Sequence, residues 1–222
     1  MPAFDAVANV APGTGGSFTI SITVPAGNPV LMVGIGLSST TETVSSVSWS
    51  LGGGTPVEIK TVRLNASFAS VWAIPNPGIG AGIITVTLSS SVPFQGAAET
   101  FTAADQTTPC PISDAISASG TDVTQLIVTP TNLSANDASF AVGVNTVADD
   151  PSGVSQNDRF KNATTAVNLQ VGDSVGTAAL SANWTLSGSL GKQVAIGVRI
   201  VPPSAAPPSP MVVAQRRLVR AA

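Results

Sequence analysis

The chain has 222 residues, with nine Lys and Arg against twelve Asp and Glu, no His, and a formal net charge of −3. Its longest apolar runs, such as Val30 to Val33, fall far short of the roughly 20 residues a helical membrane span needs, so one soluble domain is expected. The lack of His removes the commonest general base and transition-metal ligand, and most hydrolase mechanisms are disfavoured with it.

The opening stretch, MPAFDAVANVAPGTGG, lacks a basic region and carries Asp5 where a secretory signal would be apolar, so export by that route is not expected. Strict alternation begins at Ser17. Phe18, Ile20, Ile22 and Val24 share one parity while Thr19, Ser21 and Thr23 share the other, which is the period of a half-buried antiparallel strand. Val44 to Leu51, Thr55 to Leu64 and Ser67 to Ile74 read in the same way. IITVTLS follows, with Ile84, Val86 and Leu88 against Thr85 and Thr87.

Further strands are expected over Gln95 to Ala103, Val123 to Thr129, Ala138 to Val147, Ala163 to Val171, Thr177 to Leu186 and Lys192 to Val201. The stretches PAGNP, LGGGTP, NPGIGAG, SAND, DDPSG, VGDSVG and SGSLG supply turn signals between them. No segment sustains a 3.6-residue period, so helix content should be small. The expected fold is all-β: an antiparallel β-sandwich, jelly-roll-like, spanning residues 1–201.

Residues 202–210 are a Pro-rich linker with five prolines in nine positions, a composition that favours extended geometry reaching roughly 28 Å. Residues 211–222 form a basic and apolar C-terminal arm. Residues 1–201 hold six basic against twelve acidic side chains, a balance of −6, and the arm adds +3. Arg216, Arg217, Leu218 and Arg220 are therefore the candidate partner-binding residues, with Val212 and Val219 as apolar companions.

Candidate chemistry is sparse. Ser189 and Lys192 match an S-x-x-K spacing, but that geometry needs a helical turn, whereas Gly188 and Gly191 mark a hairpin. Asp149 and Asp150 are adjacent and better suited to starting a turn than to paired carboxylate catalysis, and no spacing favours Glu99 with Asp105. Calcium through Asp137, or through Asp149, Asp150 and Asp158, lacks a regular ligand spacing, so turn chemistry is the better reading and no cofactor is expected. GTGG and GIGAG lack a P-loop lysine. The sequons at Asn65, Asn132, Asn162 and Asn183 are those a Ser- and Thr-rich chain contains by chance. Cys110 has no second cysteine to pair with and reads as a small buried hydrophobe. Trp49, Trp72 and Trp184 share parity with Val47, Ile74 and Leu186 respectively, a core placement rather than a sugar platform.

Trp49 followed by Gly52 to Pro56, Trp72 followed by Asn76 and Pro77, the Ile84 to Leu88 strand, and DQTTP from Asp105 to Pro109 together resemble a family of β-sandwich modules common in tailed-phage and bacterial genomes. The ending SANWTLSGSLGKQVAIGVRIVP is compatible with it, so the resemblance covers roughly residues 30–202. It implies the sandwich fold and carries over no active site. What it implies for function is a virion structural component, non-enzymatic, such as a capsid decoration or head-fibre protein on the phage particle surface. The partners would be other virion proteins, the major capsid protein or the chain itself as a homo-oligomer, with neither nucleic acid nor membrane. The alternative is a carbohydrate-binding or host-adhesion module whose loops take a glycan.

Overall fold

The computed structural model describes residues 1–146, 150–154, 157–162, 166–178, 180–185 and 191–204. In chain order the strands are β1 (Ala3–Val24), β2 (Val30–Ser38), β3 (Val44–Trp49), β4 (Val57–Leu64), β5 (Ser67–Pro75), β6 (Gly80–Thr102) and β7 (Ile116–Thr121). There follow β8 (Gln125–Ile127), β9 (Ala138–Asn145), β10 (Asp150–Val154), β11 (Asn157–Asn162), β12 (Asn168–Val175), β13 (Ser181–Thr185) and β14 (Lys192–Ile200). The helical content among the described residues is a single 3-10 turn, Ile112–Asp114.

Two antiparallel sheets form the sandwich, as the alternation predicts. One runs β1-β6-β2-β5-β4 with β3 also paired to β6, and the other runs β11-β12-β9-β14-β7. They face each other in matching order, with β4 over β14 and β7, β5 over β9 and β14, and β1 over β11. Between them lie Val30, Met32, Val71, Phe101, Phe140, Val142, Leu169, Ile196 and their neighbours. The sheets come close because β2 presents glycine inward: a Cβ at Gly34 would sit 2.6 Å from Val142 Cγ2. Packing at organic-crystal density leaves no slack for that extra atom.

The first sheet is also covered on its outer face. β1 and β6 form a ribbon whose register shifts between Val10 and Gly13 and again between Gly15 and Ser17, the kind of bulge that bends and twists a paired strand. Beyond the bend, Phe18, Ile20, Ile22, Ile84 and Val86 join Val47 and Trp49 of β3 in a second core against Leu31, Val33, Ile35 and Ile74. β2 is thus buried on both sides. The second sheet is covered in turn by the small sheet β10-β13-β8, through Leu126, Val128 and Leu180 against Ala141 and Ala195.

Several expectations need correcting. The opening residues are strand from Ala3, and the expected strands at IITVTLS and Gln95 to Ala103 are parts of one continuous β6. β2 and β7 are strands that the sequence pattern, with no clean alternation there, does not reveal. VGDSVG is strand through Val175, with only Gly176 turning at φ +69°, so β12 shares residues 168–171 with the expected Ala163 to Val171 strand and extends four residues beyond it. DDPSG contributes β10, an edge strand of its sheet, where Pro151 need not donate to an inner ladder. The expected Thr177 to Leu186 strand shortens to Ser181–Thr185, and Val123 to Thr129 to Gln125–Ile127.

Candidate interaction site

The partner-binding residues expected from sequence, Arg216, Arg217, Leu218 and Arg220, lie outside the described residues, as does the whole arm. The structure does place the point from which that arm departs. The Val201 N–H donates to the Pro109 carbonyl at 2.9 Å, and the Asp105 N–H donates to the Val201 carbonyl at 2.9 Å. The Asp105 carboxylate accepts from the N–H groups of Thr107 at 2.8 Å and Thr108 at 2.7 Å, and from that of Ser204. Donation from Thr108 holds this carboxyl below its ordinary range against partial burial, with Thr107 and Ser204 adding to the effect. DQTTP is therefore an Asx-type turn that ties the chain's exit to the body.

That turn borders an apolar groove of about 210 Å³. One wall comes from Val57, Ile59 and Pro75 at the β4 edge of the first sheet, and the other from Pro109, Cys110 and Ile112 leading into the 3-10 turn. Val57 is 38% and Ile112 54% exposed, so the groove offers aliphatic surface to whatever fills it. Cys110 forms part of its floor. Burial pushes its thiol up, and its Sγ lies 3.5 Å from Met32 Sδ, an inert packing role that agrees with the reading as a hydrophobe.

Beside this end the sequence motifs converge. The Gly54 N–H donates to the Asn76 carbonyl at 3.1 Å, and the Gly78 N–H to the Gly52 carbonyl at 2.9 Å. Trp49 Nε1 donates to the Gly78 carbonyl at 3.0 Å. The glycine turn, the Asn-Pro turn and the tryptophan strand are thus one interlocked corner. Only glycine fits at Gly53, whose φ is +98° and whose Cβ would stand 2.3 Å from the Asn76 carbonyl oxygen.

Asp137 and Asp158, considered from sequence as calcium ligands, have protein partners instead, while the Asp150 side chain lies outside what is described. Asp137 receives Arg199 Nε at 2.8 Å and the Ser134 N–H at 2.6 Å. Arg199 Nη1 also reaches Asp114 Oδ2 at 2.9 Å, and Asn132 Nδ2 donates to Asp114 Oδ1 at 2.7 Å. Burial pushes the Asp114 carboxyl up, but Arg199 and Asn132 bring it below its ordinary range. Asn132 takes a left-handed φ of 56°, which accounts for an asparagine there through turn chemistry. Asp158 pairs with Lys161 at 3.7 Å. Lys192 Nζ donates to Thr121 Oγ1 at 3.0 Å, while Ser189 and Asp149 lie outside the described residues. Trp49 is buried as expected, Trp72 is partly buried against the outer core, and the Trp184 side chain lies outside what is described.

Glu99 and Asp105 are not brought together. Asp105 serves the exit turn, whereas Glu99 faces the core between the sheets, fully buried, with neither oxygen hydrogen-bonded among the described residues. Its charged neighbours are Asp173 and Arg159 on the opposite sheet. Arg159 pairs with Asp173 through Nε and lies 3.7 Å over the Phe4 ring, bridging the two sheets at the β1 and β11 edge. Burial pushes the Glu99 carboxyl well above its ordinary range; Asp173 adds to this and Arg159 opposes it. Nothing in the sequence spacing reveals Glu99 beside this ion pair, because Glu99 meets Asp173 and Arg159 only once the two sheets close.

By fold the chain is an antiparallel β-sandwich protein with an apolar groove beside the exit of β14. Comparison with protein-family models, curated proteins and solved structures finds no match to it.

Proposed function

We propose that the chain is a non-enzymatic structural protein of a phage particle, a capsid decoration or head-fibre type protein held to a neighbouring subunit by its arm. The single observation that carries this reading is the pinned exit, where Val201 and Ser204 are hydrogen-bonded to the 105–109 turn. A tether that leaves a rigid body from a set point transmits its hold to that body. The basic arm and the acidic body also give the two parts opposite charge. The resemblance of the Trp49, Asn76–Pro77 and Asp105 to Pro109 motifs to phage sandwich modules supports the same reading. The partner is another virion protein, the major capsid protein or a second copy, at the particle surface.

Arg216, Arg217 and Arg220 would contribute about 1.5–3 kcal/mol each where their partners are sheltered, against about 0.2–1 kcal/mol on open surface. Repetition on a symmetric particle raises the effective concentration and turns individually weak contacts into stable occupancy. The experiment is removal of residues 205–222, followed by quantitative mass spectrometry and imaging of purified particles. Occupancy should fall at least tenfold, and unchanged occupancy overturns the reading.

A further inference from the structure

The groove beside the exit and the apolar part of the arm are complementary in chemistry. We propose that residues 211–219 of one copy seat in the groove bounded by Val57 and Ile112 on a second copy. This inference rests on the reading that the arm docks on a neighbouring chain, and it names that chain.

Three observations carry it. First, the groove is aliphatic and partly open, with about 210 Å³ to fill, and the arm supplies Met211, Val212, Val213, Leu218 and Val219, side chains of the size and polarity such a space accepts. Second, residues 205–210 contain three prolines in six positions, which favours extended geometry of roughly 19 Å at about 3.1 Å per residue. That spacer starts at Ser204, tied to Asp105, and Thr107 and Thr108 just beyond Asp105 line the groove. An extended spacer beginning at the groove's own rim carries the apolar residues past it and toward the groove of a neighbour. Third, charge is complementary: a body of −6 faces an arm of +3. Aliphatic burial would then set affinity while the arginines steer approach.

The test uses the full chain in two tagged forms, one carrying Val57→Cys and the other Leu218→Cys, mixed under mild oxidation. Both forms also carry Cys110→Ala, because the native thiol lines the groove and would otherwise compete. An intercopy disulfide between the two tags is the expected product, and adding Ile112→Asp to the Val57→Cys form should lower its yield at least tenfold. Ile112 is exposed enough for the substitution to leave folding intact, which a urea transition matching wild type would verify, and Thr61→Ala, exposed on the same edge strand and outside the groove lining, serves as a second, charge-neutral variant that should leave the yield unchanged. Absence of the intercopy disulfide, a yield indifferent to Ile112→Asp, or closure of the disulfide within one chain carrying both cysteines would each overturn the proposal. If removing residues 205–222 strips the protein from particles while no intercopy disulfide forms, anchoring stands and the groove assignment falls. If the disulfide forms while the shortened chain keeps its particle occupancy, the groove assignment stands and anchoring falls.

Discussion

Two arginines hold carboxylates inside this sandwich on different terms. Arg199 meets Asp114 and Asp137 at 2.8–2.9 Å, and Asn132 and the Ser134 N–H complete the set. Arg159 meets Asp173 and stacks on Phe4, yet the adjacent Glu99 is left with neither oxygen hydrogen-bonded among the described residues. The first network joins the loop before β9 to the 3-10 turn and to β14, and its charges are nearly all answered. The second clasps the open edge between the sheets while keeping one carboxyl in reserve. A satisfied buried network stabilises and specifies; a partly satisfied one costs stability, because the low dielectric that strengthens each made bond also penalises the unmade one.

The comparison breaks most sharply at Arg199. Arg199→Met leaves two buried carboxylates without their cation and should destabilise by about 3–5 kcal/mol, read as a shift in the urea transition at neutral pH. Arg159→Met leaves Asp173 with the long bond from Asn157 Nδ2 at 3.4 Å and opens a partly exposed edge, so about 2–3 kcal/mol is expected. A loss at Arg159 equal to that at Arg199 would erase the distinction. Glu99→Met should act in the opposite direction, stabilising by about 1–2 kcal/mol at neutral pH by removing an unpaired buried acid.

The sign with pH sharpens that third outcome. Glu99 has a folded pKa raised above its ordinary value of 4.5, so wild-type stability from this group is fully present below pH 4.5 and is lost as pH rises toward the folded value. The advantage of Glu99→Met should therefore grow from acid toward neutral pH, and a pH-independent difference would count against a buried, proton-holding Glu99. The smallest effect belongs to Asp105→Asn, which keeps the turn's shape but weakens its charge-assisted bonds to Thr107, Thr108 and Ser204. About 0.5–1 kcal/mol is expected, together with faster amide exchange at Ser204.

Legibility in the sequence follows how many faces of a strand meet water. Phe18 to Val24 and Ile84 to Leu88 alternate cleanly because Thr19, Ser21, Thr23 and Thr87 are exposed while their neighbours are buried. β2 shows no alternation because Met32 enters the core between the sheets and Leu31 the outer one. The first half of β1 is muted by small side chains and by a register shift between Phe4 and Ala6, after which the inward parity changes. In VGDSVG the turn signal of Gly172 and Asp173 is overruled by pairing with Ala141 and Phe140 of β9 and by the ion pair to Arg159. The exit turn at Asp105 was legible as a motif, but the groove beside it was not, since its walls come from β4, β5 and the loop before β7.

Taken alone, the residue order determined the β class, most turns through Gly, Asn and Pro, and the segregation of basic charge beyond Pro210, since each of these rests on neighbours a few positions apart. Tertiary structure decided that β6 runs unbroken through two layers, that Glu99 faces Asp173 rather than Asp105, and that the chain leaves beside an aliphatic groove. Those outcomes depend on which strands pair and which faces close, and that choice is made by burial and hydrogen bonding between segments far apart in the chain.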